Sequence, residues 1–168
     1  MNLPLIYKYK PKFFQDFETK PEIIDILNTL ISINNLNILF IGDSGSGKTA
    51  LINVLVKEYY GNINYNDNVL VINSLKEQGI QYFRNEMKTF CQSRSSIHGR
   101  KKMVIIDDID SINEQSQQVF RNYIDKYNRN IHFISVCSNV QKVIESLQSR
   151  LHILQLTPPN DIQINELL

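Results

Sequence analysis

This chain lacks three things: charge of one sign, cysteine in number and long apolar runs. Each shortage removes a class of protein. Lys and Arg total 18 against 17 Asp and Glu, a formal charge of +1 over 168 residues. No whole-molecule field draws the chain to a polyanion, so any nucleic-acid contact must come from a local cluster of cations. The two cysteines, Cys91 and Cys137, stand far apart without the CxxC or Cys/His spacing of a disulfide framework or a zinc site, which fits a reduced, intracellular setting. The opening MNLPLIYKYKPK has no cleavable apolar segment, and no apolar run approaches the roughly 20 residues that cross a bilayer. A soluble protein with no membrane partner is expected. Internal repeats and low-complexity tracts are also missing, and with 42% hydrophobic and 21% charged residues the chain suits one ordinary core.

What is present alternates. Apolar runs rich in β-branched residues recur at NILFIG (37–42), NVLVIN (68–73), KMVIIDDID (102–110), IHFISVCSN (131–139) and HILQL (152–156). Segments of helical period lie before and between them: KPEIIDILNTLIS (20–32), GKTALINVLVKEYY (47–60), GIQYFRNEMKTFCQS (79–93), NEQSQQVFRNYIDKY (113–127) and the short VIESLQS (143–149). Val119, Tyr123 and Ile124 share one helix face. This β-α-β order predicts a five-stranded parallel sheet in an α/β fold. GNINYNDN and SRSSIHGRKK read as surface loops. After the last strand, Pro158 and Pro159 break the chain, and a helix start at Asn160 or Asp161 runs out within about two turns. The expected division is a domain over 1–156, with 157–168 beginning another element.

Between the first apolar run and the second helical segment stands GDSGSGKTA. Gly42, Asp43, Ser44, Gly45, Ser46, Gly47, Lys48, Thr49 and Ala50 contain the pattern G-x-x-x-x-G-K-[ST] in its strand-loop-helix setting. Glycines allow dihedrals and a close approach that a Cβ would forbid, so successive N–H groups can converge on a phosphate at the positive end of the helix. Lys48 would then reach the β- and γ-phosphates and the Thr49 hydroxyl a Mg2+ ion. A plain Gly/Ser-rich turn leaves Lys and Thr in register unexplained.

Asp107 and Asp108 end an apolar strand. Asp107 suits the metal's hydration shell, and Asp108 suits orienting or deprotonating an attacking water. The plainer reading is a pair of solvated turn carboxylates or a helix N-cap, to which Asp110 and Ser111 are suited. Ser138 or Asn139, at another strand end, is placed to sense a γ-phosphate. Arg150 follows a short helix and by itself could be a solvated charge.

Taken together these residues resemble the clamp-loader small subunits of replication factor C, a branch of the AAA+ ATPases, collinearly over nearly the whole chain. The family's Tyr-Arg-Pro element is matched by Tyr9, Lys10 and Pro11, which the resemblance places near adenine. Its Asn-Ala-Ser strand end and the following Arg-Gly-Ile are matched by Asn73, Ser74, Gly79 and Arg84, with Gln78 in place of the arginine. Its Asp-Glu-Ala-Asp reads Asp107, Asp108, Ile109 and Asp110, so the catalytic Glu is one methylene shorter. Its Gln-Gln-Ala-Leu-Arg-Arg helix is matched by Gln117, Gln118 and Arg121, with Asn122 for the second arginine. Its Ser-Arg-Cys signature survives as Ser149 and Arg150, followed by Leu151. Counting back from it puts Ser138 at the sensor Asn and Asn139 one residue late.

The resemblance implies a P-loop NTPase fold of three α/β/α layers, the AAA+ base domain, with the lid and collar absent or truncated. It implies an ATPase using ATP and Mg2+ in a hetero-oligomeric ring of related clamp-loader subunits. The ring would open a sliding clamp and enclose primer-template DNA by its phosphate backbone. Lys48, Thr49 and Asp107 would serve the nucleotide in cis, and Arg150 would reach a neighbour's ATP as a finger. Arg84 and Arg121 are the DNA-phosphate candidates, and the region of Phe90 with SRSSIHGRKK is the candidate clamp surface. Weak nucleotide binding and negligible turnover are expected of the isolated chain. The setting would be nuclear in a eukaryote, otherwise cytoplasmic or a viral replication site. The rival readings are a helicase loader, a branch-migration motor, or a scaffold that binds nucleotide without hydrolysing it; no Asn-Lys-x-Asp guanine element supports a GTPase.

Overall fold

Strands covered on both faces need apolar side chains at nearly every position, and the runs 38–41, 102–107 and 131–137 come close to that, whereas 69–73 and 152–155 leave Val71 and Ile153 exposed. The computed structural model describes residues 10–17, 20–73 and 80–158. Its elements are α1 (Pro21–Ser32), β1 (Ile38–Ile41), α2 (Lys48–Tyr60), β2 (Val69–Asn73), α3 (Ile80–Gln92), β3 (Lys102–Asp107), α4 (Glu114–Tyr127), β4 (Ile131–Cys137), α5 (Glu145–Gln148) and β5 (His152–Gln155). The five strands form one parallel sheet in the order β2-β3-β4-β1-β5. The expected five-stranded α/β architecture is therefore the one observed.

Alternate residues of β1, β3 and β4 feed two separate cores. Ile38 and Phe40 of β1, Met103 and Ile105 of β3, and Ile134 and Val136 of β4 pack with Leu27 and Leu30 of α1 and Leu51, Leu55 and Tyr59 of α2. Leu39, Val104, Ile106 and Phe133 face the other way, onto Met87 of α3, Phe120 and Ile124 of α4, and Leu147 of α5. The period-2 pleat thus builds the three layers. Phe120 and Phe133 are each 0% exposed, and burial of each is worth about 1.5–3 kcal/mol. The central helix α2 is apolar on most sides because it is wedged between sheet, α1 and the loop before β2, with Val54, Tyr59 and Tyr60 all buried.

The start of α4 departs from expectation. Its N-cap is Asn113, whose side chain accepts from Ser116 N at 2.9 Å, and neither Asp110 nor Ser111 takes that role. Both belong to a separate 3-10 turn, Ile109–Ser111. Among the described residues no helix is long and apolar enough to cross a membrane.

Candidate functional site

A parallel sheet delivers the carboxyl ends of all its strands to one edge, and a crevice opens where the strand order reverses. Here β1 leads into Gly42, β3 ends on Asp107, and β4, which lies between them in the sheet, leads into Ser138. Register fixes their levels: Ile41 pairs with Cys137 and Asn73 with Asp107. Gly42 N then donates to Cys137 O at 3.2 Å, continuing the ladder one step past the strand.

The loop that follows needs glycine for two different reasons. Gly45 and Gly47 have φ of +83° and +81°, left-handed values costly for a side-chain-bearing residue, and a Cβ on either would meet nothing within 4 Å. Gly42 has the opposite problem. A Cβ there would stand 2.6 Å from Ser46 Oγ and 2.9 Å from the main-chain oxygen of Leu156. The loop is therefore pinned at its base and open above Gly45 and Gly47, the concavity that a phosphate requires. Lys48, in the first turn of α2, lays its ammonium across the loop, donating to Gly42 O at 2.5 Å, Asp43 O at 2.7 Å and Ser46 Oγ at 3.4 Å. Thr49 beside it is exposed. Among the described residues no group of three or more His, Cys, Asp or Glu is arranged to hold a metal alone. Two oxygen donors, Thr49 and Asp107, suit Mg2+, which keeps water and phosphate oxygens for most of its shell.

Asp107 and Asp108 are half-buried. Asp108 adopts φ 49°, ψ 50°, one of two described non-glycine residues with positive φ, a strained geometry that concentrates at functional sites. Burial, then the charges of Asp107 and Asp110, push its carboxyl above the usual range, and Lys48 opposes them. The loop lysine and the acidic turn stand at the same end of the sheet, since β1 and β3 both flank β4 in parallel. Burial raises the Cys137 thiol to about 12, with Asp110 and Lys48 again acting on it in opposite senses. Asp110 itself ties the acidic turn to the end of β4: its Oδ2 accepts from Ser138 N at 3.2 Å and Asn139 N at 2.9 Å. The Asn139 side chain accepts from Gln141 N at 3.0 Å and so caps the next turn.

Other expected site residues lie elsewhere. Pro11 lines a hollow of about 360 Å³ with Asn53 and Lys57 of α2 and Val69 of β2. Tyr9, Ser74, Gln78 and Gly79 fall outside the described residues. Arg84 borders a groove of about 320 Å³ with Lys88, Val119 and Asn122. Arg121 and Arg150 meet at Asp125, whose Oδ1 is 2.5 Å from Arg150 Nε and whose Oδ2 is 4.0 Å from Arg121 Nε. The loop containing Arg94 and Arg100 lines a cavity of about 800 Å³ with Lys101, Lys102 and Arg129, at the amino ends of β3 and β4. That cavity, though large, is at the opposite end of the sheet from the glycine loop.

Sequence reasoning gave Gln117 no structural part. It is 1% exposed and donates from Nε2 to Ile112 O at 3.0 Å and Lys142 O at 2.9 Å, with a longer bond to Ile109 O at 3.3 Å. Its Oε1 accepts from Ile144 N at 2.9 Å. It thereby joins the acidic turn to the segment leading into α5 and Arg150. The signal was a glutamine on the apolar face of α4, one turn before Phe120.

These features define the class. Residues 38–159 match the model of the ATPase family associated with various cellular activities (AAA), and the chain belongs to that family. Within it, the chain is 34% identical to the probable replication factor C subunit 5 of Dictyostelium discoideum, covering 99% of this chain and 50% of that protein. It is 36% identical to the replication factor C small subunit of Saccharolobus solfataricus, covering 90% of this chain and 46% of that protein. The chain thus spans about half the length of these relatives. Its fold is that of Thermotoga maritima RuvB, with TM-score 0.71 at 16% identity over 95% of this chain and 53% of that one.

Proposed function

We propose that this chain is an ATP-binding subunit of a clamp loader, which uses ATP binding and hydrolysis to load a sliding clamp onto primer-template DNA in replication. The observation that carries the reading is the open glycine cradle at the same end of the sheet as Asp107 and Asp108, in a chain similar at 34% and 36% identity to replication factor C subunits. Residues 1–156 would form the nucleotide-binding base domain and 157–168 the start of a lid.

The roles follow from placement. The amides of the 42–49 loop would hold phosphate oxygens, and Lys48 would exchange its bonds to Gly42 O and Asp43 O for the β/γ-phosphates. Mg2+, when bound by Thr49 and Asp107, would neutralise phosphate charge. Asp108, its carboxyl raised, would take a proton from the attacking water. Ser138 is favoured as the sensor because it directly follows the last residue of β4, while Asn139 stands one residue later with its side-chain oxygen capping the next turn through Gln141 N. Arg150 would complete a neighbour's site, so hydrolysis would need the assembly. Tyr9 and Pro11 would border the adenine. DNA phosphates would meet Arg84 and Arg121, and the clamp would dock near Phe90 and the 93–102 loop, whose cations line the 800 Å³ cavity. The setting is intracellular, nuclear in a eukaryote, otherwise cytoplasmic or a viral replication site.

The test is to purify the tagged chain from its native source and identify what accompanies it. Related ATPase subunits and a ring-shaped clamp are expected; a lone chain, or a helicase as stable partner, overturns the reading. A second reading, a subunit that binds ATP without hydrolysing it, is favoured by the short side chain and left-handed backbone of Asp108. In the isolated complex, Asp108→Glu then raises single-turnover hydrolysis strongly, whereas a competent Asp108 leaves it little changed.

A further inference from the structure

We propose that Asp125 is the positioning residue of Arg150, holding its Nε so that Nη2 is presented to the triphosphate on an adjacent subunit. This rests on the reading of Arg150 as a finger acting in trans. An arginine has five N–H donors in a planar fork. In this structure Nε donates to Asp125 Oδ1 at 2.5 Å, and Nη1 donates to Ser146 O and, at 3.4 Å, to Ser149 Oγ. All three bonds fall on Nε and Nη1, and Nη2 takes part in none of them.

Asp125 lies one helical turn after Arg121, whose Nε is 4.0 Å from its second oxygen and makes no hydrogen bond to it, so Arg121 adds a nearby positive charge while Arg150 supplies the direct bond. Ser146 O belongs to the last turn of α5, where carbonyls lack helical partners. The guanidinium is thus fastened to two elements, α4 and α5, and both are tied by Gln117 or its neighbours to the acidic turn.

Stability alone does not account for the arrangement. Asp125 and Arg150 side chains are 45% and 31% exposed, and ion pairs that open to water contribute little net free energy. Freezing a free arginine side chain on docking is costly, and a pair that settles the rotamer beforehand removes that cost from the transition state.

The experiment uses the complex isolated with this chain and measures steady-state kcat and KM for ATP, with complex recovery as a check on assembly. Arg150→Ala is expected to lower kcat by a hundredfold or more. Asp125→Ala should lower kcat by roughly tenfold with KM unchanged, because a misplaced group loses rate and not binding. Asp125→Glu, which keeps the charge, should recover most of the loss. Asp125→Ala added to Arg150→Ala should cost nothing further, since the two act as a unit. The proposal is overturned if Asp125→Ala runs at the parent rate or faster while Arg150→Ala is slow, or if the two losses multiply, as a merely structural role requires. If Arg150→Ala itself runs at the parent rate, the trans-finger reading fails and this proposal with it.

Discussion

Gly42 and Leu156 meet through main chain alone: a Cβ on Gly42 would stand 2.9 Å from the Leu156 carbonyl oxygen. Leu156 N donates to Ile41 O at 2.7 Å, so the end of β5 cannot swing away without breaking the ladder. Gly42→Ala should therefore cost about 1–3 kcal/mol of stability, the usual range for overpacking, and weaken nucleotide binding by moving the loop. Ser46→Ala relieves only the contact with Ser46 Oγ. The double variant is expected to stay below the parent melting temperature, and a full recovery would show that the backbone contact does not matter.

Asp108 offers a test with two readouts. Its carboxyl is raised by burial and by Asp107 and Asp110, so ionising it is harder in the folded chain than in the unfolded one. The sign follows: no penalty exists at pH well below 3.8, and stability is lost as pH rises through the raised folded value. Asn carries no charge and tolerates left-handed backbone. Asp108→Asn should melt about 1–2 °C higher than the parent near neutral pH, with the gap closing in acid, while hydrolysis in the complex is lost. A variant that melts lower at neutral pH contradicts the electrostatic account of the turn.

His132 predicts an acid limit. It is 0% exposed. Its Nδ1 accepts from Leu36 N at 3.1 Å, which leaves the proton on Nε2 facing Asn34 Oδ1 at 3.2 Å. Burial, with a smaller effect of Lys101, pushes its pKa from 6.5 down to about 3. The unfolded chain therefore binds a proton that the folded chain refuses, and stability present above 6.5 is lost as pH falls towards 3. The loss should reach roughly 2 kcal/mol near pH 5. Urea unfolding across this range should show the slope. His132→Phe should flatten it while costing about 1–3 kcal/mol at neutral pH for the stranded Leu36 N–H, since Asn34 Oδ1 keeps the bond from Tyr59 OH at 2.8 Å. An unchanged slope would assign the acid sensitivity to other groups.

The strands and the glycine loop were legible in the sequence for a physical reason. A strand buried on both faces is a continuous apolar run, and a phosphate cradle needs Gly, Lys and Thr at fixed steps. The end of β4 between loop and acidic strand was legible too, because Ser138 and Asn139 are polar at the tip of such a run. The α4 cap was misread. Asp110 has the right chemistry for a cap, but the amides of Ser138 and Asn139 claim its carboxylate, and nothing local reveals a partner 28 residues away. The same holds for Asp125, an exposed acid whose partnership with Arg150 spans 25 residues and exists only because α4 and α5 pack together.

The central claim is that main-chain amides of the 42–49 loop cup a triphosphate. The most direct test is a titration of the isotope-labelled chain with MgATP, followed by amide NMR shifts, which also registers weak binding. The largest saturable shifts should fall on Gly45, Ser46, Gly47, Lys48 and Thr49, with smaller ones at Asp107 and Asp108, and Lys48→Ala should abolish them. Shifts confined to other surfaces, or a loop that stays still at millimolar nucleotide, would contradict the account.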